Sequence, residues 1–117
     1  MQKILFILND GPYGTERAYQ ALRQAQAVGK QGDVAIRMFL LSDAVQCARS
    51  GQKVPSGYYN VERMLRVALQ QGAEVGACGT CLEARGLTDA DLVAGVHRGS
   101  MEELAAWTLW ADKVIGY

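Results

Sequence analysis

Short runs of consecutive apolar residues alternate along this chain with helical segments of crossover length, and this alternation constrains the fold more than any other feature. The segments 3–8 and 34–41 are almost wholly apolar, as expected of strands that are covered on both faces. Between them, apolar residues recur at helical spacing. Parallel neighbours cannot be joined by tight hairpins, so strands separated by helices indicate a parallel sheet. The sequence therefore predicts an α/β fold.

The second half of the chain continues the same pattern. Asn60 is suited to cap a strongly amphipathic helix, and the segment 73–78 follows it as a third strand. Ser100 and Glu103 match a capping box, in which the serine covers the glutamate amide and the carboxylate reaches back to the serine amide. A last strand is expected at 113–115. The pattern predicts a parallel sheet with helices on both faces.

Size and charge exclude several classes of function. The 117 residues fit one domain, 1–117, and the 50% of hydrophobic residues can fill its core. Twelve basic residues balance twelve acidic ones, so no net field favours nucleic acid or an anionic membrane. The longest apolar run near the start, 4–8, is far shorter than the roughly 20 residues of a membrane span. Three cysteines do not suit a disulfide framework, so we expect reduced thiols and a cytoplasmic location.

Ligands of parallel α/β proteins gather at the carboxyl ends of the strands, and three segments are expected there. They are 9–14, 42–43 and 78–81. The first has the glycine content of a phosphate loop but matches neither nucleotide-binding glycine motif, so we expect its glycines to turn the chain and predict no cofactor. Asp43 is expected to cap a short helix. The candidate residues of the site wall are Asn9, Asp10, Gly11, Tyr13, Ser42, Asp43, Gly79, Thr80 and Arg85.

The cysteine pair Cys78 and Cys81 is the strongest candidate for chemistry. Cys78 lies where the third strand ends, and Thr80 with Glu83 matches a second capping box that would open a short helix. Unpaired amides and the positive end of the helix dipole stabilise a thiolate, which is the reactive form, and Arg85 would add positive charge. The alternative is that both cysteines only fill the core, because free cysteine is often buried.

Three chemistries suit such a pair. A dithiol redox site is one, although a thioredoxin-like enzyme also has a cis-proline beside its motif and both prolines here lie in loop-like stretches. Structural zinc needs about four ligands, so Cys47 and His97 would have to join from distant segments. His97 has no evident carboxylate partner and Cys47 is expected to pack in the core, so we predict no metal. The third chemistry is sulfur carriage, in which one thiolate holds a sulfur atom as a persulfide and passes it to another thiol.

Short motifs in a fixed order span nearly the whole chain: Met1-Gln2-Lys3-Ile4, Pro12-Tyr13-Gly14, 39–45, 51–53, 57–58, 78–81, 85–86 and 107–114. Together they resemble the YchN-like branch of the DsrE family. The resemblance implies a flavodoxin-like parallel sheet of about five strands, assembly into a homohexamer or related homo-oligomer, and a role in sulfur relay or sulfur oxidation with donor and acceptor proteins. It matches Cys78 to the persulfide-carrying cysteine of the family. Whether Cys81 resolves, protects or only accompanies Cys78 stays open.

The resulting hypothesis is an oligomeric sulfur-relay protein in which Cys78 is the nucleophile and Cys81 a resolving or auxiliary thiol. Two alternatives stay open. One is a binding module of the same fold, for a small molecule or a protein, in which the cysteines are incidental. The other is a dithiol redox protein, in which the two cysteines form a reversible disulfide.

Overall fold

The computed structural model describes all residues from Met1 to Tyr117 and contains one five-stranded sheet. The strands are β1 (Gln2–Leu8), β2 (Val34–Leu40), β3 (Glu74–Cys78), β4 (Val96–Gly99) and β5 (Lys113–Gly116). The α-helices are α1 (Arg17–Gln31), α2 (Val61–Gln70), α3 (Gly79–Ala84) and α4 (Met101–Trp110), and short 3-10 helices cover Ser42–Ala48 and Asp89–Asp91. No helix combines the length and the apolar character needed to cross a membrane.

All neighbouring strands are parallel, in the order β4-β3-β2-β1-β5. The first three connections step across the sheet in one direction, and the connection from β4 to β5 returns across it. Because such connections are right-handed, α1, α2 and α3 cover one face and α4 covers the other. The predicted α/β fold, a flavodoxin-like parallel sheet with helices on both faces, is confirmed.

Alternation of side chains along the strands divides the core into two layers. The larger layer, beneath α1 and α2, includes the buried Phe6 and Met38. The smaller layer lies beneath α4 and consists of Leu5, Phe39, Leu104 and Trp107. Val114 on β5 pairs with Leu5 on this second face and remains 46% exposed, and Leu109 on α4 itself is 88% exposed.

Two predicted helix starts behave differently. The Asn60 side chain accepts the amide N–H of Arg63 at 2.9 Å, so its predicted capping role is confirmed. Ser100 caps α4 by accepting the amide N–H of Glu103 at 3.2 Å. The reciprocal half of that capping box is wrong, since both Glu103 carboxylate oxygens bind Nε2 of His97 at 2.7 and 2.8 Å. The strand β4 runs directly into this helix, so the carboxylate folds back over the strand and supplies the partner that His97 lacked in the sequence.

Candidate functional site

Cys78 is both the last residue of β3 and the residue that caps α3. Its sulfur accepts the amide N–H of Cys81 at 3.4 Å and lies 3.3 Å from the hydroxyl oxygen of Thr80. Because α3 begins at Gly79, directly after the strand, the sulfur occupies the position where a side-chain oxygen usually caps a helix. The capping role predicted for Thr80 is therefore wrong, and Thr80 lies inside the first turn with its hydroxyl against the sulfur.

The Cys78 thiol is half-buried and its surroundings favour the thiolate. Burial alone would raise its pKa, but hydrogen bonds from the Cys81 and Thr80 side chains and from their backbone amides outweigh this effect. They hold the pKa of Cys78 below its ordinary value. The thiolate is the form that attacks another sulfur atom, so Cys78 has the character of a nucleophile.

Cys81 is held at three points. Its amide donates to the Cys78 sulfur, its own sulfur accepts the amide N–H of Ser42 at 3.2 Å, and its carbonyl oxygen accepts Nη1 of Arg85 at 3.0 Å. Burial and the hydrogen bond to Cys78 raise the pKa of the Cys81 thiol, although the Ser42 amide lowers it in part. The two thiols are therefore unequal, and Cys78 carries the larger share of thiolate.

Ser42 and Asp43 join the loop after β2 to the end of α3. Nε and Nη2 of Arg85 both donate to Oδ1 of Asp43, at 3.0 and 2.7 Å. Ser42 has a φ of 53°, in the left-handed region that residues other than glycine seldom adopt, and its N–H lies against the Cys81 sulfur. The predicted cap at Asp43 is wrong, because the residue before the 3-10 helix is Leu41 and Asp43 binds Arg85 instead.

Two of the remaining wall candidates, Gly11 and Gly79, lie near the thiol pair or its neighbours, and three have other partners. Gly11 packs against Asp43, since a Cβ at Gly11 would lie 3.7 Å from the Asp43 Cβ. Gly79 adjoins Cys78 and accepts Nη1 of Arg98 on its carbonyl oxygen. The other three bind elsewhere: Asn9 binds the carbonyl of Tyr117, Asp10 binds Thr15 and Arg17, and Tyr13 binds Gln52 and the amide of Val61.

Arg98 also belongs to this region, and no sequence motif points to it. Its Nη1 donates to the Gly79 carbonyl at 3.1 Å, and the guanidinium also pairs with Glu83 and Asp89 at 3.3 and 3.2 Å. These contacts tie β4 to the first turn of α3, next to Cys78. A single arginine in a four-residue edge strand forms no pattern, and only the pairing of β3 with β4 brings it to Gly79.

The third cysteine lies in the core. Cys47 is fully buried, its sulfur lies 3.8 Å from the carbonyl oxygen of Asp10, and burial raises the pKa of its thiol to about 12. It is a packing residue, as the sequence predicted. No group of three or more histidine, cysteine, aspartate or glutamate side chains is arranged to hold a metal ion.

A cavity of about 400 Å³ lies away from the thiols. It opens between α1 and α2 over the first residues of β2, and its walls include Ala25, Ile36 and Met64. These segments are at the amino ends of the strands, whereas Cys78 lies at a carboxyl end. The cavity and the thiol pair are therefore separate features.

The fold and the site define a small parallel α/β protein with a thiol pair at the carboxyl end of its third strand. The sequence matches the DsrE/DsrF-like family over residues 2–117, and the chain belongs to that family. It is 42% identical to Protein YchN of Escherichia coli K12, with both chains covered in full. The crystal structure of the ychN protein from E. coli superposes on it with a TM-score of 0.94 over the whole of both chains.

Two further proteins are less similar to this chain. The uncharacterized protein MK0008 of Methanopyrus kandleri is 39% identical over 112 residues, which cover 96% of this chain and 91% of that protein. The structure of MTH1491, a protein of unknown function from Methanobacterium thermoautotrophicum, covers all of both chains with a TM-score of 0.81 at 17% identity. At that identity the likeness shows the fold alone.

Proposed function

We propose that this chain is a sulfur-relay protein, in which Cys78 carries a sulfur atom as a persulfide and passes it to a partner thiol. The proposal depends on one observation above all, the half-buried sulfur of Cys78 at the end of β3 with the Cys81 amide and the Thr80 hydroxyl beside it. These groups favour a thiolate that a donor can reach. Membership of the DsrE/DsrF-like family is consistent with such a role.

The chemistry requires one nucleophile at each step. The Cys78 thiolate attacks the outer sulfur of a donor persulfide, the donor's sulfur–sulfur bond breaks, and the donor leaves as a thiolate. An acceptor thiolate then attacks the outer sulfur on Cys78, and the Cys78 thiolate is the leaving group. The hydrogen bonds to the Cys78 sulfur stabilise the same anion in both steps, first as nucleophile and then as leaving group.

Mass spectrometry after incubation with inorganic polysulfide tests this proposal. We expect the peptide that contains Cys78 to gain the mass of one sulfur atom, and Cys78→Ser to gain none. Cys47→Ser is the matched control, because the buried Cys47 thiol is shielded from the reagent and its loss leaves loading unchanged. Sulfur on Cys47 alone, or on no cysteine, would refute the relay.

A dithiol redox protein is the second candidate, because Cys78 and Cys81 share one helical turn and are joined by a hydrogen bond. It requires a reversible Cys78–Cys81 disulfide with a measurable potential. A protein that forms this disulfide but never retains sulfur on Cys78 would favour redox chemistry. A binding module is distinguished by Cys78→Ser, since ligand binding would survive that change and sulfur transfer would not.

The proposal includes a homo-oligomer, a hexamer or a related assembly, and sulfur donor and acceptor proteins as transient partners. The exposed Leu109 and Val114 on the thinly covered face of the sheet support association of copies. It also includes a cytoplasmic location, because the three cysteines are unpaired and a relay needs reduced thiols.

A further inference from the structure

A persulfide on Cys78 would have a competing reaction within its own chain. The Cys81 thiolate could attack the inner sulfur of that persulfide, and the bond to the outer sulfur would break. Hydrosulfide would leave and a Cys78–Cys81 disulfide would form, so atoms and charge balance without an added oxidant. The relay would lose its cargo before an acceptor arrived. A carrier with this thiol pair therefore needs a way to restrain Cys81.

The contacts around Cys81 supply such a restraint. Its sulfur accepts the Ser42 amide at 3.2 Å, and its carbonyl accepts Nη1 of Arg85 at 3.0 Å. The other two guanidinium nitrogens of Arg85, Nε and Nη2, donate to Oδ1 of Asp43, the residue directly after Ser42. Arg85 thus binds Cys81, which carries the sulfur, and also Asp43, which follows the residue that supplies the amide. Its side chain is only 26% exposed.

We propose that the Asp43–Arg85 ion pair is a latch that keeps the Cys81 sulfur on the Ser42 amide and so prevents Cys81 from discharging the persulfide on Cys78. This role rests on the proposed function. The latch makes Asp43 and Arg85 positioning residues, which act through Cys81 and do not touch the transferred sulfur. Burial and the hydrogen bond to Cys78 raise the pKa of the Cys81 thiol, which also restrains it because a protonated thiol is a poor nucleophile. The Ser42 amide and Arg85 lower that pKa, so the latch acts through the position of the sulfur and not through its acidity.

A competing explanation is that Arg85 acts only through its positive charge. The two explanations predict opposite changes in the rate of persulfide discharge for Arg85→Gln. The positive charge of Arg85 lowers the pKa of Cys81 through space. If charge alone mattered, Arg85→Gln would raise that pKa, reduce the Cys81 thiolate and slow the discharge. If the latch matters, the same variant releases Cys81 and speeds the discharge. Asp43→Asn speeds it in both accounts, so Arg85→Gln is the deciding variant.

The test loads each protein with inorganic polysulfide, removes the excess, and follows hydrosulfide release together with the Cys78–Cys81 disulfide by mass spectrometry. We expect Arg85→Gln to lose sulfur roughly fivefold faster than the wild type, the effect of one well-formed ion pair. Adding Cys81→Ser to Arg85→Gln removes the attacking thiol and restores at least the wild-type lifetime. Equal or slower loss in Arg85→Gln, or fast loss that persists when Cys81 is also replaced, would overturn the latch.

A second readout separates failure of the latch from failure of the relay. Reaction of the wild type and Arg85→Gln with glutathione disulfide places glutathione on Cys78, and Cys81 then displaces it as a thiol. Faster displacement in Arg85→Gln supports the latch even if neither protein retains polysulfide sulfur, in which case the relay is wrong. Equal displacement overturns the latch whether or not Cys78 loads sulfur.

Discussion

A methyl group at Gly99 has no room, and Gly99→Ala tests the packing beside the thiol site. Gly99 is the Cα partner of Cys78 in the pairing of β3 with β4. A Cβ there would lie 2.7 Å from Oε1 of Glu103, and 2.7 and 2.9 Å from Cε2 and Cζ of Phe39. The carboxylate can move aside. The Phe39 ring cannot, because it is fully buried in a T-shaped contact with Trp107.

The size of the effect follows from two opposing terms. Overpacking a rigid core costs about 1–3 kcal/mol. Replacing glycine restricts the unfolded chain and returns about 0.4–1 kcal/mol. The middle values of these ranges differ by about 1.3 kcal/mol, and Gly99→Ala should destabilise the fold by about that amount. Gly116→Ala is the matched control in another strand, since nothing lies within 4 Å of its Cβ position and only the favourable term applies.

Urea denaturation measures both variants at the same protein concentration. We expect the unfolding midpoint to fall for Gly99→Ala and to stay level or rise slightly for Gly116→Ala, with an unchanged slope. Equal midpoints for the two variants would refute the packing described around Phe39.

Three further changes test other parts of the structure. Asn60→Ala should lower the free energy of unfolding by about 1 kcal/mol because the Arg63 amide loses its acceptor. Asn60→Ser should keep most of the wild-type stability, because serine also caps a helix. Burial would raise the pKa of Glu62, but the hydrogen bond and charge of Arg66 and the hydrogen bonds from the Gln52 and Gly51 backbone together outweigh it and hold the pKa below the ordinary 4.5. This carboxylate therefore stabilises the fold above that pH and ceases to do so as the pH falls through its lower native pKa, so Glu62→Gln should flatten the acid limb of a stability–pH curve. For the proposed homo-oligomer, Leu109→Glu should shift the molar mass from light scattering toward that of the monomer, and an unchanged mass would exclude this face as the interface.

The strands and crossover helices could be predicted because each is a local pattern. The apolar runs at 3–8 and 34–41 indicated strands covered on both faces, and they are β1 and β2. The strand order could not be predicted in the same way, because it depends on which strands pair across the sheet. The sequence likewise predicts only a short helix capped by Asp43, and the structure shows it as a 3-10 helix at Ser42–Ala48.

The position of the thiol pair could also be predicted, since a strand end followed by a helix start is visible in the sequence. The capping partners could not. A capping motif includes only the residues of one helical turn. It assigned the cap to Thr80, whereas the Cys78 sulfur caps the helix and the Thr80 hydroxyl lies against that sulfur. Asp43 and Glu103 are similar cases, because their partners come from a neighbouring helix and a neighbouring strand. These charged partners are brought close by the sheet, and no local spacing encodes them.

The acidity of one sulfur atom tests the central claim most directly. Alkylation by iodoacetamide across a range of pH, with the modified cysteine located by tandem mass spectrometry in the one peptide that holds both Cys78 and Cys81, gives the pKa of each thiol in the folded protein. We expect the pKa of Cys78 to lie below the ordinary 9.0 and the pKa of Cys81 to lie above it. A Cys78 thiol that reacts no more readily than Cys81, with a pKa at or above 9.0, would contradict a reactive nucleophile at the end of β3.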